Sequence, residues 1–272
     1  MKENMLLIVY VDDACLISPD ESKIKLEIES LKKDYDLTDE GDLNDYLGTR
    51  FDRKKDGTVE LTMPRMIERI LDIVSLGGRD CHVKMHDTPA VNVLQTTEQD
   101  EPRNQKWHYR SAVGCLSYIQ AMIRPDITMA VQQCARFNNN PKKSHEEAVK
   151  RICRYLLRTK HRGLILKPDK SKGLECYVDA DFAGSWSSHS SHDPLSVHSR
   201  TGFCIFYAGC PILWKSKIQS IIALSTTEAE YVALSSALRE VIPIIKLLED
   251  LSARGFPVQR KNSKVHVQNI RR

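Results

Sequence analysis

The chain has 272 residues, 41% of them hydrophobic and 28% charged, with a formal net charge of +4. This length is enough for one large or two modest domains, and the composition is that of an ordinary globular protein. No stretch approaches the roughly 20 apolar residues that span a bilayer, so we expect no membrane segment. The eight cysteines show no Cys-x-x-Cys spacing and no disulfide framework, so we expect a soluble protein of the cytoplasm or nucleus.

Two hairpins, each followed by a helix, are predicted for the first 80 residues. Short β-prone runs separated by turn residues indicate the hairpins, and apolar residues at helical spacing indicate the helices. Asp12 and Asp13 lie in the first turn, and Asp56 and Gly57 lie in the second. The strands are expected at 6–11, 14–18, 46–53 and 59–63, and the helices at 21–35 and 66–73.

A polar connection and three helices are predicted for the middle of the chain. Residues 77–106 are polar and contain two prolines, which is typical of a linker or a long connection. Helical patterns follow at 109–123, 126–137 and 144–158. This part of the chain therefore contributes no predicted strand.

The third of these helices lies in a stretch rich in positive charge. Between residues 142 and 172, eleven basic residues oppose only three acids. Lys150, Arg154 and Arg158 recur at four-residue spacing, so they form one basic stripe on the helix. Such a stripe suits a nucleic-acid backbone, whose counterions are released on binding. An ordinary solvated helix face explains the pattern about equally well.

Strands dominate the predicted elements after residue 174. They are expected at 175–184, 201–209, 211–217, 220–225 and, near the end of the chain, 265–268. A helix starts at Ser225, and its interior Pro243 should kink it because proline removes a backbone hydrogen bond. The predicted apolar face of this helix consists of Leu234, Leu238, Val241, Ile245 and Leu248.

Asp12 and Asp13 are candidate metal ligands. Nucleotidyl transfer uses carboxylates that hold two Mg²⁺ ions, and adjacent aspartates on a tight turn present such ligands rigidly. Taken alone, a polar hairpin turn explains the pair better, because aspartate is favoured in turns. Tyr-Val-Asp-Asp at 10–13, the helix after it and GDLNDYLGTRF at 41–51 together resemble the palm of copia-type reverse transcriptases. The resemblance implies that Asp12 and Asp13 ligate metal.

The resemblance to the reverse transcriptases is incomplete. The family's remaining catalytic aspartate lies well upstream of this motif, whereas only nine residues precede Tyr10. We therefore expect no polymerase activity from these residues alone. HYRSAVGCLSYI at 108–119, RPDITMAV at 124–131 and EEAVKRICRYLLRT at 146–159 resemble the family's connection between polymerase and nuclease, which supports the nucleic-acid duplex.

A second set of acids consists of Asp179 and the pair Glu228 and Glu230. Almost all of 174–251, including RTGFCIFYAGCPILWKSK and IALSTTEAEYVALS, resembles copia-type ribonuclease H. That family orders a strand with Asp, two antiparallel strands and a helix with Glu around two metal ions. The resemblance implies that Asp179 and Glu230 are the catalytic acids and metal ligands.

The two glutamates also have a structural interpretation. Ser225 with Glu228 fits the capping-box pattern of a helix start, and Thr227 with Glu230 fits the same pattern. Asp181 should share a strand face with Asp179, either as a neighbour of the metal ligands or as a solvated edge residue.

The third carboxylate of the ribonuclease H set is missing from its expected place. The chain has VHVQNIRR there, with Gln268 near the expected position, and no acid follows Asp250. Two remaining ligands predict weak or absent Mg²⁺ binding, because that ion usually needs carboxylates together with substrate phosphates.

The predicted fold class is α/β (α+β), a partial reverse-transcriptase palm and connection followed by a truncated ribonuclease H-like mixed sheet with a helix. The predicted domains are 1–80 (palm), 81–106 (linker), 107–172 (helical connection) and 173–272 (ribonuclease H-like). We expect a retrotransposon polyprotein fragment without catalysis of its own, with an RNA–DNA hybrid, DNA or an intact Pol protein as partner. Two alternatives remain open: a non-catalytic module that binds nucleic acid or Pol, and a ribonuclease H completed by a partner chain.

Overall fold

The computed structural model describes residues 5–77, 84–95, 100–188, 193–258 and 263–267. Within these ranges the chain is a mixed α/β protein with six α-helices, a two-stranded hairpin and two four-stranded sheets. The boundaries of the predicted domains stay predictions, and the elements are described below in chain order.

The N-terminal hairpin consists of β1 (Leu6–Tyr10) and β2 (Asp13–Ile17), with Tyr10 opposite Asp13. Helix α1 (Glu21–Asp34) follows, and the Asp20 side chain caps it by accepting from the Ser22 backbone N–H. Both elements were predicted, and both are confirmed. Neither contains a buried residue, so this part adds little to the hydrophobic core.

The first sheet is antiparallel and has the order β3-β4-β5-β6. Its strands are β3 (Asp45–Tyr46), β4 (Thr49–Arg53), β5 (Val59–Thr62) and β6 (Leu164–Leu166). The prediction of one strand over 46–53 is wrong, because Leu47 and Gly48 have φ angles of 51° and 72° and form a tight turn. Strand β6 was not predicted, since three residues are too few to show an alternating pattern.

Four helices, predicted from their apolar spacing, pack against one another. They are α2 (Pro64–Ile73), α3 (Tyr109–Met122), α4 (Thr128–Ala135) and α5 (Lys143–Arg158). Their buried side chains form the largest hydrophobic cluster of the described chain. Ala90 and Leu94, from the polar connection, pack against this cluster. The connection is therefore attached to the helices along part of its length.

The second sheet has the order β10-β7-β8-β9, in which β7, β8 and β9 are antiparallel and β10 is parallel to β7. Its strands are β7 (Leu174–Asp181), β8 (Arg200–Tyr207), β9 (Cys210–Ile218) and β10 (Lys264–Val267). The predicted strand at 220–225 is wrong. Ile221, Ile222 and Leu224 are at least half exposed, and the chain leaves the sheet here to enter the next helix.

Helix α6 (Thr226–Ala253) covers one face of this sheet and continues through Pro243. Its buried residues are Ala229, Ala233, Ala237 and Val241, a stripe at four-residue spacing. The predicted leucine-rich face is therefore wrong except at Val241 and at Ile245, which packs at the edge of the cluster. Alanines have the smallest apolar side chains, so they let the helix lie close to β7 and β8.

The second sheet also packs against the helical part of the molecule. The indole Nε1 of Trp214 in β9 donates to the Gln120 carbonyl oxygen in α3 at 2.7 Å. Arg136, just after α4, pairs with Asp193 over 2.5 Å between Nη2 and Oδ2. The two halves of the described chain thus share polar contacts as well as apolar ones.

Candidate active site

Asp179 lies in strand β7 and Glu230 in the second turn of α6, and their carboxyl groups interact electrostatically. Asp179 lies opposite Gly202 of β8, which has no side chain to compete for space. Glu230 lies in the first turns of α6, where the polypeptide turns from the sheet edge into the helix. The charge of Asp179 acts on the Glu230 carboxyl group, so the two acids lie near each other, and their assignment to one site stays a prediction.

The start of α6 is fixed by a capping arrangement that uses Glu228. The Ser225 hydroxyl accepts from the Glu228 backbone N–H at 3.1 Å. The Glu228 carboxylate in turn accepts from the Leu224 N–H at 2.7 Å. Ser225 is therefore confirmed as the helix cap, but the predicted capping box is incomplete, because Glu228 accepts from the residue before the cap and not from Ser225 itself. Glu230 lies outside the cap. The two glutamates consequently have different environments only two positions apart.

The Glu230 carboxyl group is half-buried and electrostatically perturbed. Burial raises its pKa above the ordinary value, and the negative charge of Asp179 raises it further. The backbone N–H of Ala180 opposes this rise by interacting with the carboxylate. One oxygen, Oε2, is buried without a hydrogen-bond partner among the described residues. A cation beside Asp179 would give that oxygen a partner.

Asp181 has an exposed carboxylate directed to the loop after β7. A Cβ atom placed on Gly184 would lie 2.1 Å from both Asp181 carboxylate oxygens, so the side chain occupies the space above that glycine. Asp181 also lies opposite Arg200 in the ladder between β7 and β8, and its charge acts on the Arg200 guanidinium. These contacts favour a structural role at the strand edge.

Asp12 and Asp13 are both exposed, at the turn that joins β1 to β2. Tyr118 of α3 lies near this turn. Burial raises the pKa of its hydroxyl above the ordinary value, and the nearby Tyr10 raises it further. Its hydroxyl donates to the Leu47 carbonyl oxygen at 2.6 Å, so it also contacts the turn between β3 and β4. No sequence pattern marks Tyr118, since these contacts join residues far apart in the chain.

No third ligand joins either acid pair within the part of the chain that the structure describes. The described residues contain no group of three or more His, Cys, Asp or Glu side chains able to hold a metal ion. Gln268, expected near the ribonuclease H acids, lies outside the described residues.

The predicted basic stripe on α5 is paired with acids along its length. Lys150 Nζ lies 3.0 Å from Glu146 Oε1 and 3.1 Å from Glu147 Oε1. Arg154 lies 3.7 Å from Glu147, and Arg158 lies 2.6 Å from Asp87. These ion pairs reduce the net positive charge that the stripe offers to a phosphate backbone. Binding of nucleic acid by these three residues stays a prediction.

Comparison with curated proteins finds transposon polyproteins. The chain is 34% identical over 255 residues to the retrovirus-related Pol polyprotein from transposon TNT 1-94 of Nicotiana tabacum, covering 91% of this chain and 18% of that protein. It is 30% identical over 254 residues to the Pol polyprotein from transposon RE1 of Arabidopsis thaliana, covering 93% and 16%. These relatives are copia-type retrotransposon Pol polyproteins, and the chain is homologous to one segment of them.

The similarity concerns only part of each plant relative. The chain spans less than one fifth of the two plant polyproteins. It is 28% identical over 235 residues to the putative transposon Ty5-1 protein of Saccharomyces cerevisiae, and covers 72% of that shorter protein. No protein-family model matches the chain, and no solved structure matches it. No helix in the described ranges combines the length and apolar character needed to cross a membrane.

Proposed function

We propose that this chain is the segment of a retrotransposon Pol polyprotein in which the end of a reverse transcriptase joins a ribonuclease H-like domain, and that Asp179 and Glu230 are acids of the nuclease. One observation carries the proposal: Glu230 lies beside Asp179 with a buried carboxylate oxygen that has no described partner. The order of the second sheet supports it, because a strand with Asp, two antiparallel strands and a helix with Glu follow one another.

The two carboxylates fit a Mg²⁺ ion. Carboxylate oxygens are the hard ligands that this ion prefers, and the unpartnered Glu230 Oε2 is available beside Asp179. Bound there, Mg²⁺ would activate a water molecule and stabilise the charge that develops on a phosphodiester. Asp179 and Glu230 would hold the ion, and the Ala180 N–H would keep the Glu230 carboxylate oriented. The cap formed by Ser225 and Glu228 fixes the helix start from which Glu230 projects.

We also propose that the 272-residue polypeptide by itself neither extends a primer nor cleaves an RNA–DNA hybrid. Each acid pair holds two carboxylates, and the described residues provide no further His, Cys, Asp or Glu to either group. Two-metal chemistry depends on several carboxylates, so each site would need ligands from substrate or from a partner chain.

Cleavage of a labelled RNA–DNA hybrid tests this proposal. The purified polypeptide is incubated with the hybrid and Mg²⁺, alone and together with a Pol protein whose own nuclease has been inactivated by substitution. We expect no cleavage alone, and cleavage in the mixture that disappears in Asp179→Asn but persists in Glu175→Gln on the same strand. If the mixture containing Asp179→Asn cleaves the hybrid as fast as the unaltered mixture, Asp179 is not part of the site. Cleavage by the polypeptide alone would contradict its dependence on a partner.

A non-catalytic nucleic-acid-binding role is less well supported. The basic side chains expected to carry it, Lys150, Arg154 and Arg158, all have acid partners within 4 Å. Salt-dependent binding of the hybrid that is lost when all three are changed to glutamine, without any cleavage in the mixture above, would favour this role over the nuclease.

A further inference from the structure

Two hydroxyl side chains of the sequence directly precede a proline. They are Ser18, before Pro19, and Thr88, before Pro89. A serine or threonine followed by proline is the acceptor that proline-directed protein kinases select. The surroundings of the two hydroxyl groups differ, and this difference decides which of them can hold a phosphate group.

Thr88 presents its hydroxyl group at the surface. It lies in the segment 84–95, which forms no helix or strand, and four of the five residues 84–88 are exposed, Thr88 among them. Its oxygen accepts from Arg151 Nη2 of α5 at 3.0 Å, in an exposed contact. Because the oxygen is the acceptor in this bond, the bond does not use the hydroxyl proton. The acceptor atom is therefore within reach of an enzyme in solution.

Basic side chains surround this acceptor. They are Lys84, Arg151, Arg154 and Arg158. The three arginines share one face of α5, because they recur at three- and four-residue spacing. Two contacts join this face to the segment 84–95: Arg151 with Thr88, and Arg158 with Asp87, whose charged atoms lie 2.6 Å apart. The charges of Lys84 and Arg154 act on the imidazole of His86, two positions before Thr88.

The charges around this hydroxyl group match a phosphate dianion. Asp87 pairs with Arg158, and Glu147 lies 3.7 Å from Arg154, so two acids offset two of the four positive charges. Burial and the nearby arginines lower the pKa of His86, so its imidazole adds no charge at pH 7. Two positive charges therefore remain. A threonine phosphate carries about −1.5 to −2 charges at pH 7, which balances them.

Ser18 has the opposite surroundings. Its oxygen accepts from the Asp20 backbone N–H at 3.2 Å, just before α1. The sequence around it reads Ser-Pro-Asp-Glu, so a phosphate on Ser18 would lie beside the carboxylates of Asp20 and Glu21. Like charges repel, and a phosphate next to acids destabilises the chain around it. Ser18 is thus the matched comparison for Thr88.

We propose that Thr88 is a phosphorylation site for a proline-directed kinase, and that Arg151 and Arg154 hold the phosphate against α5. In the transfer, the Thr88 oxygen forms a bond to the γ-phosphorus of a nucleoside triphosphate. The bond from that phosphorus to the nucleoside diphosphate breaks, the diphosphate leaves, and the hydroxyl proton passes to the base of the kinase. Since the Thr88 oxygen already lies 3.0 Å from Arg151 Nη2, the phosphate oxygens reach the same guanidinium group. The phosphate thereby fixes the segment 84–95 to α5, whether or not the chain is part of a nuclease.

Incubation of the full chain with a purified mitogen-activated protein kinase and magnesium ATP, followed by peptide mass spectrometry, tests the acceptor. Thr88 should gain one phosphoryl group. Thr88→Val should abolish this signal, and Ser18→Ala should leave it unchanged. A synthetic peptide of residues 84–92 shows whether the kinase accepts the local sequence without the fold. No phosphoryl group on Thr88 of the chain, whether or not the peptide is modified, would overturn the proposal.

Phosphorus-31 NMR of the phosphorylated chain tests the arginine partners. The second pKa of a threonine phosphate is about 6, and nearby positive charges favour the dianion. The phosphate pKa in the chain should therefore lie below that of a synthetic 84–92 phosphopeptide by about 0.5 or more. Arg151→Gln should move it back toward the peptide value, whereas Lys143→Gln, at an exposed lysine of the same helix, should not. A phosphate pKa equal to that of the peptide, or one that Arg151→Gln leaves unchanged, would refute the assignment.

Discussion

Glu230 depends on Asp179 for part of its electrostatic environment. Burial is the first cause of its raised pKa, and the charge of Asp179 is the second. Asp179→Asn removes the second cause, so the pKa of Glu230 should fall while remaining above its ordinary value. Carbon-13 NMR titration of the Glu230 carboxyl in metal-free buffer measures this change, with Glu175→Gln as the control. A Glu230 pKa that does not respond to Asp179→Asn would separate the two acids.

His145 should make stability depend on pH. It is fully buried, stacks on Phe137 with ring centroids 3.7 Å apart, and accepts from the Lys142 N–H at 2.9 Å. Burial lowers its pKa to about 4. The unfolded chain therefore takes up the proton first, and stability that is complete above about pH 6.5 is lost as the pH falls toward 4.

The expected loss between pH 7.5 and pH 5 is about 2 kcal/mol of unfolding free energy, from the difference between the two pKa values. Urea unfolding at both pH values measures it. His145→Gln should remove this part of the pH dependence, whereas the exposed His161→Gln should leave it unchanged. Equal pH dependence in both variants would contradict the assignment to His145.

Residue-scale prediction succeeded where a sequence motif carries the chemistry. Ser225 was identified as the helix cap from its spacing to Glu228. Asp179 and Glu230 were chosen from the family resemblance, and their role stays a prediction. The ion pair between Arg158 and Asp87 was not predicted, because it joins a helix to a connection without a regular pattern. Partners that only folding brings together leave no local signal.

At the scale of elements, Gly163 controls how β6 joins the first sheet. A Cβ atom on Gly163 would lie 1.8 Å from the Leu61 carbonyl oxygen in β5, which is backbone and has little room to move. Gly163→Ala should therefore disturb the β5–β6 pairing and lower the unfolding free energy by about 1–3 kcal/mol.

Gly114→Ala provides the matched control for this substitution. It lies inside α3 with no atom within 4 Å of the added Cβ, so it should stabilise the chain by about 0.5–1 kcal/mol. Urea unfolding of both variants gives the comparison. A Gly163→Ala variant as stable as Gly114→Ala would show that β6 does not pair as described.

Elements were predicted well where periodicity is strong and poorly where tertiary contacts decide. The helices at α2 to α5 follow their apolar spacing. The apolar run at 220–225 has strand-like composition but finds no neighbouring strand, and it leads into the α6 cap. The buried face of α6 is set by how closely the helix approaches the sheet, which favours alanine over the larger leucines.

At the scale of the whole molecule, Trp214 links the second sheet to the helices. Trp214→Phe keeps an aromatic ring but loses the hydrogen bond to the Gln120 carbonyl oxygen, so it should cost about 1 kcal/mol of unfolding free energy. Trp186→Phe, at a side chain that is 57% exposed, should cost little. Urea unfolding followed by circular dichroism compares them, and equal stabilities would argue against this contact between the two halves.

The packing of the two halves was beyond sequence-based prediction. Trp214 and Gln120 are 94 positions apart, and neither lies in a motif that names its partner. The sequence did predict the strands at β7, β8, β9 and β10 and the long helix, although it did not predict the sheet order, in which β10 lies beside β7. The strands and the helix of the second sheet were thus predictable from the sequence. The packing of this sheet against the helices of the first half was not.

Metal binding at Asp179 and Glu230 is the most direct measurement of the central claim. Mn²⁺ can replace Mg²⁺ in such a site, and it broadens the NMR signals of nearby nuclei. Two carboxylates bind the ion only weakly, so Mn²⁺ is titrated to millimolar concentration into the isotopically labelled chain. It should first broaden the amides of Ala180, Gly202 and Glu230, and this effect should be lost in Asp179→Asn. Broadening that spares these amides, or that persists unchanged in Asp179→Asn, would contradict the assignment of this pair as a nuclease metal site.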